Sequence, residues 1–117
     1  KALRGDNPVI VAGVGSEVRD FLFSRDAARG LLLAMCSPYS GLINLGSGQG
    51  VTIKELVDVM ARVTGKHFVF DPSQASGYPY RVLDTSLARE QLGFAPEVTL
   101  ENGIAETWQR LQKGEST

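Results

Sequence analysis

The chain has 117 residues, of which 43% are hydrophobic and 21% charged, with a formal net charge of -1 at pH 7. This length bounds it to one domain. The ordinary apolar and charged balance excludes a disordered tract, and no apolar run approaches the roughly 18 residues that span a bilayer. With no basic field to hold a polyanion, nucleic-acid binding is excluded, and any phosphate bound is a small molecule's.

Val9-Ile10-Val11, after Pro8, reads as a short strand; Gly13 and Gly15 mark a turn; Val18 to Phe23 reads as the next extended piece. The pattern turns polar at Ser24, and an alanine- and leucine-rich helix is predicted from about Asp26 to Cys36. Ser37, Pro38 and Gly41 form a loop before Leu42-Ile43-Asn44-Leu45, a short apolar strand ending in Gly46-Ser47-Gly48-Gln49-Gly50. A second helix begins there. Thr52 with Glu55 makes a capping box, Ile53, Leu56, Val57, Met60 and Val63 line one face, and Gly65 stops the helix.

Phe68-Val69-Phe70 reads as a further strand, followed by a long irregular loop from Asp71 to Tyr80 that contains Pro72, Gly77 and Pro79. Ser86 to Leu92 is a short helix ended by Gly93. Thr99 then caps a last helix in which Leu100, Ile104, Trp108 and Leu111 share a face, with Trp108 as a core anchor. Residues from Lys113 onward read as frayed. The chain starts at Lys1 with neither an initiator methionine nor a signal peptide, which leads us to expect a piece of a larger protein.

Cys36 is the only cysteine, so it forms no internal disulfide, and it reads as a small buried hydrophobe in a reducing compartment. Cys36 and the single His67 are too few for a structural zinc site. Arg19 stands on the rigid apolar segment that leads into the first helix, where its guanidinium fork can take phosphate or carboxylate in bidentate fashion. The plain alternative is a solvated surface charge. Asp20 and Asp26 read as a turn or helix-start pair.

Leu42 to Asp71 imitates a dinucleotide-binding unit, with strand, glycine turn, capped helix, second strand and acidic residue. The spacing argues against one, because Gly46-x-Gly48-x-Gly50 is a residue short of GxGxxG and no lysine makes a P-loop. Gly46 and Gly48 are then turn residues ahead of a capped helix.

Four segments stand in order: NPVIVAGVGSEVRDFLFSRDAA, LINLGSGQGVTIKEL, FDPSQASGYPYRVLDTSLAREQLGF and PEVTLENGIAETW. Together they resemble the C-terminal part of the extended short-chain dehydrogenase/reductase family of NAD-dependent nucleotide-sugar epimerases and dehydratases, with GDP-fucose synthase-like enzymes the nearest likeness. The likeness covers nearly the whole chain and rests on G-x-G-x-x-x-R-[DE]-F, IN-[VL]-G-[ST]-G and L-D-x-S-x-x-x-x-L-G-[FW] patterns.

The resemblance implies a small mixed α/β substrate-binding lobe of about four helices with short strands, a single domain over 1–117. In the family, the cofactor loop GxxGxxG and the Tyr-x-x-x-Lys pair belong to an N-terminal domain. Tyr39, Tyr78 and Tyr80 are followed four positions later by Ile43, Val82 and Asp84, so the pair does not occur here. The implied role is to bind the nucleotide-sugar substrate, without catalysis by this chain alone. NAD or NADP is held elsewhere in a cytoplasmic, homodimeric full-length enzyme, and no cofactor is expected in this chain. Some of its strands would pair with the edge of the cofactor domain, and the chain alone would expose an apolar face that favours dimers or domain swapping.

By the same resemblance Arg19 matches the arginine that contacts the substrate's nucleotide diphosphate, and Arg81 falls where related synthases place a basic residue near that ligand. Arg81 reads equally as a loop-surface charge. The chain departs from the pattern at Gln74 and Tyr80, where related synthases carry basic residues, which weakens the case for a GDP-sugar in particular. Tyr78 or Tyr80 could stack on a base or sugar ring, or pack the loop down. The competing class is a non-catalytic small α/β module that binds a nucleotide or a protein.

Overall fold

The computed structural model describes residues 2–114, with the side chain of residue 3 outside the description. Among the described residues, five short strands and four α-helices alternate in a mixed α/β arrangement. After a 3-10 turn at Ala2–Arg4 come β1 (Val9–Ala12), β2 (Val18–Arg19), α1 (Ser24–Cys36), β3 (Val51–Thr52), α2 (Ile53–Thr64), β4 (Phe68–Asp71), β5 (Tyr80–Arg81), α3 (Ser86–Leu92) and α4 (Leu100–Gln112).

The strands form two sheets. β1 pairs with β4 in parallel, Val9 opposite Phe68 and Ala12 opposite Asp71. The other sheet has the order β3-β2-β5, with β2 antiparallel to β3 and parallel to β5. α2 starts as its sequence dictates: the Glu55 amide donates to Thr52 Oγ1 at 3.0 Å and the Thr52 amide to Glu55 Oε2 at 2.8 Å. It ends at Gly65, whose φ of 67° is the left-handed conformation that only glycine adopts without strain. α4 is capped by Thr99, which accepts from the Asn102 amide. α2 and α4 pack together, and their contact is the main helical one.

Four expectations are corrected. The extended piece expected over Val18 to Phe23 is a strand only at Val18–Arg19, because β3 and β5 reach no further along it. Leu42 to Leu45 carries no strand ladder: its composition suits a sheet, but no described strand pairs with it. Cys36 is exposed at the end of α1, not buried. Trp108 is half-buried beside an apolar groove of about 400 Å³ lined by Leu56, Met60, Leu100 and Ile104, so it borders an opening between helices instead of anchoring a closed core.

α1 begins at Ser24, ahead of the expected start at Asp26, and its last turn carries the expected Cys36. Tyr80–Arg81 and Val51–Thr52, both too short to announce themselves by alternation, are strands. Lys113 is the C-cap of α4, and the frayed end expected beyond it lies largely outside the described residues.

The core is small. Val9, Val57, Ala88 and Phe94 are its buried hydrophobic side chains among the described residues. Between α1 and α3, Gly30 lets Leu45 and Phe94 approach to where a Cβ would stand 3.0 to 3.1 Å from them. Asp26 is 2% exposed, and its Oδ2 accepts the Glu97 and Val98 amides at 3.1 and 3.0 Å, tying the start of α1 to the approach to α4.

Candidate functional site

The β2–β5 ladder builds the site. Its parallel register sets Val18 opposite Tyr80 and Arg19 opposite Arg81. Residues paired across a parallel ladder project to the same face from strands about 4.8 Å apart, so the two arginines are lateral neighbours. Both line a cleft of about 540 Å³, with Asp20, Tyr80, Leu22, Leu45 and Leu83 among its walls.

Neither guanidinium has a carboxylate partner among the described residues, whereas Arg4, Arg25, Arg29, Arg62 and Arg110 are all ion-paired. Two cations without carboxylate partners on adjacent strands repel each other. An anion between them removes that cost and gains charge-assisted hydrogen bonds.

Arg19 is held in place: its NH1 donates to the Val18 carbonyl at 2.8 Å. Its NH2 passes close to Gly77, where a Cβ would stand 3.1 Å away, so the irregular loop lies against the arginine at that point. Arg81 is exposed and stacks on the Tyr78 ring, with its guanidinium carbon 4.6 Å from the centroid. Tyr78, 68% exposed, is therefore partnered by an arginine, and Tyr80, 65% exposed, borders the cleft itself.

The glycine loop is engaged from within the chain. The Ser47 amide and hydroxyl donate to Asp20 Oδ1, the Gly48 amide to Oδ2 at 2.9 Å, and the Leu83 amide to Oδ2 at 3.4 Å. Burial opposes ionisation of Asp20, but these donors outweigh it and hold its carboxyl below the usual carboxylate range. A Cβ on Gly46 would lie 2.8 Å from Asp20 Oδ2, so the loop can approach this closely only with glycine there, and Gly48 turns at φ +71°. A dinucleotide phosphate would have to displace a carboxylate from these amides.

The sequence placed Arg19 and Arg81 among the candidates, and the structure brings them together. Asp26 stands in the first turn of α1, as the helix-start reading expects, but that reading did not foresee that Asp20 and Asp26 each collect amides from distant segments. No local signal marked Asp20, since its donors come from the distant Ser-Gly turn and from Leu83. Sequence reasoning also passed over Glu17, 6% exposed, whose Oε1 is buried without a hydrogen-bond partner near Gly13 and Ser76. Among the described residues no group of His, Cys, Asp and Glu could hold a metal ion, and no helix is long and apolar enough to cross a membrane.

No protein-family model matches the chain. It is 36% identical to GDP-L-fucose synthase 1 of Arabidopsis thaliana over 110 residues, 91% of this chain and 33% of the plant protein. Its fold superimposes on UDP-glucose 4-epimerase of Thermotoga maritima, solved with UDP-glucose, at a TM-score of 0.85 and 33% identity, covering 98% of this chain and 38% of the other. UDP-glucuronic acid 4-epimerase of Bacillus cereus in complex with NAD, at 22% identity and a TM-score of 0.76, shares the fold over 97% of this chain. The chain thus spans about a third of the length of these relatives.

Proposed function

Because the homologues of this chain include GDP-L-fucose synthases and UDP-sugar epimerases, we propose that it is the nucleotide-sugar-binding part of an NAD(P)-dependent epimerase, dehydratase or reductase. The observation that carries this reading is the register that sets Arg19 opposite Arg81, two cations without carboxylate partners on one cleft. A diphosphate spans two such guanidinium groups, each charge-assisted contact contributing about 1.5 to 3 kcal/mol. Tyr80 at the cleft wall adds an apolar face for a base or sugar ring.

Binding and orientation are the chain's own contribution. Arg19, fixed by the Val18 carbonyl, anchors the diphosphate, and Arg81 closes on it from β5. Holding the diphosphate presents the sugar to chemistry carried out elsewhere in a longer polypeptide. There NAD(P) supplies hydride acceptance or donation. The glycine loop suits no cofactor phosphate, since Asp20 already fills its amides.

The outer face of α1, with Leu31, Leu32 and Met35 59 to 81% exposed, and Leu42 at 93%, would be covered by the rest of that polypeptide. Leu42 to Leu45 would gain its missing ladder partner there.

The test is a longer protein that carries this chain behind its upstream sequence, assayed by NAD(P)H absorbance with GDP- and UDP-sugars. Arg19→Ala is expected to raise KM at least tenfold while sparing kcat, because the diphosphate is held alike in ground and transition states. An apolar dye bound by the isolated chain should be displaced in the longer protein. Turnover by the isolated chain, or an Arg19→Ala effect confined to kcat, would contradict the proposal.

A further inference from the structure

We propose that Asp20 is the positioning residue of the two-arginine site, an internal anion that fills the glycine turn and thereby fixes β2 and β5 in the register that sets Arg19 beside Arg81. The inference rests on the diphosphate-binding reading above and assigns a cause to the site's geometry.

Asp20 directly follows Arg19. Both residues line the cleft, and the Asp20 carboxylate is taken up there by the amides of the Ser-Gly turn, which also borders the cleft at Gly46. Its carboxylate collects four donors from two segments: Ser47 and Gly48 in the turn, and Leu83 two residues beyond Arg81. The ladder between β2 and β5 is only two residues long. So short a ladder defines its register weakly, and a slip of one residue would send Arg81 to the opposite face. The bond from the Leu83 amide to Oδ2 supplies the missing constraint, because it ties the continuation of β5 to the residue next to Arg19.

The close approach at Gly46 completes the device. A side chain there would meet both Asp20 and Leu83, at 2.8 and 2.9 Å from its Cβ, so the turn, the carboxylate and the β5 continuation share one tight contact. Asp26 is a control built into the same molecule. It is a carboxylate, more deeply buried than Asp20, that likewise accepts backbone amides, but it joins α1 to the approach to α4, away from the cleft.

The experiment measures inorganic pyrophosphate affinity by calorimetry, together with the arginine Nε resonances by NMR, on the chain and on Asp20→Asn, Asp20→Glu, Asp26→Asn and Ser47→Ala. Expected are an approximately tenfold weaker affinity in Asp20→Asn, with the Arg19 and Arg81 signals displaced, and partial recovery in Asp20→Glu. Asp26→Asn should lower the melting temperature and leave affinity within about twofold. If Asp20→Asn does not fold, Ser47→Ala carries the test, with affinity weakened severalfold through loss of one donor.

Wild-type affinity in Asp20→Asn, or in Ser47→Ala where that variant carries the test, would overturn the positioning role while leaving the diphosphate reading intact. Equal losses in Asp20→Asn and Asp26→Asn would reduce Asp20 to a general stabiliser and overturn it as well. A wild-type chain that binds no pyrophosphate would overturn the diphosphate reading and this inference with it.

Discussion

Arg19 and Asp20 divide the work of one dipeptide on the wall of the cleft, the cation left without a carboxylate partner and the anion engaged by backbone amides that hold the fold around it. Arginine suits its position because a rigid planar fork, restrained by the Val18 carbonyl, loses little freedom when it meets a phosphate. The rest of the sequence made Arg19 legible, since a charged residue on a short apolar strand calls for a partner. Arg81 was legible only through the family likeness: nothing in Asp71 to Tyr80 indicates a strand just beyond, and the pairing of the two arginines depends on that strand. Glu17 is the counter-example at this scale. Its buried Oε1 has no partner, an arrangement that costs stability. Glu17→Gln is therefore expected to leave the urea midpoint unchanged or raise it by the equivalent of about 1 kcal/mol. A loss of more than that would show that the carboxylate has a role in the fold.

At the scale of elements, caps and clamps matter more than strands. α2 and α4 were readable because Thr52, Glu55, Gly65 and Thr99 act through local hydrogen bonds or local backbone conformation. α1 was readable in type and not in start. Its helix-start carboxylate, Asp26, is spent on the Glu97 and Val98 amides some seventy residues away, a use that no local pattern encodes. Leu42 to Leu45 reads as a strand because its composition is written for burial, and the described residues provide no strand to pair with it.

Asp26 yields a pH prediction. Burial raises its pKa, but the Val98 and Glu97 amides and Arg29 prevail, so its carboxyl lies below 3.8 in the folded chain, as does that of Asp20. A depressed folded value means that the stabilisation is complete above the unfolded pKa and is lost as pH falls through the lower folded one. Asp26→Asn should cost about 2 kcal/mol at pH 7 and flatten the decline of the urea midpoint below about pH 4. Identical slopes for variant and wild type in that range would refute the clamp.

At the scale of the whole molecule, the chain is more extended than its length requires. Its radius of gyration is 16.3 Å, against about 13 Å for a compact domain of this size, and its extents are 50 × 34 × 18 Å. Few side chains are fully buried, while Ala28, Leu31, Leu32 and Met35, at helical spacing along one side of α1, are all exposed. A helix face this apolar is stable in water only at a cost, which a covering surface removes. The mixed α/β class and its four helices followed from local signals. The openness of the molecule did not, because composition reports how much apolar surface exists and not what meets it.

The most direct measurement is calorimetric titration of the chain with GDP and GMP, on wild type, Arg19→Ala, Arg81→Ala and the double variant. A diphosphate held between two arginines requires GDP to bind more tightly than GMP. Each single variant should lose about tenfold or more in GDP affinity, and the double variant less than the sum of the two losses in free energy. Equal binding of GDP and GMP, with affinity untouched by either substitution, would contradict the two-arginine site.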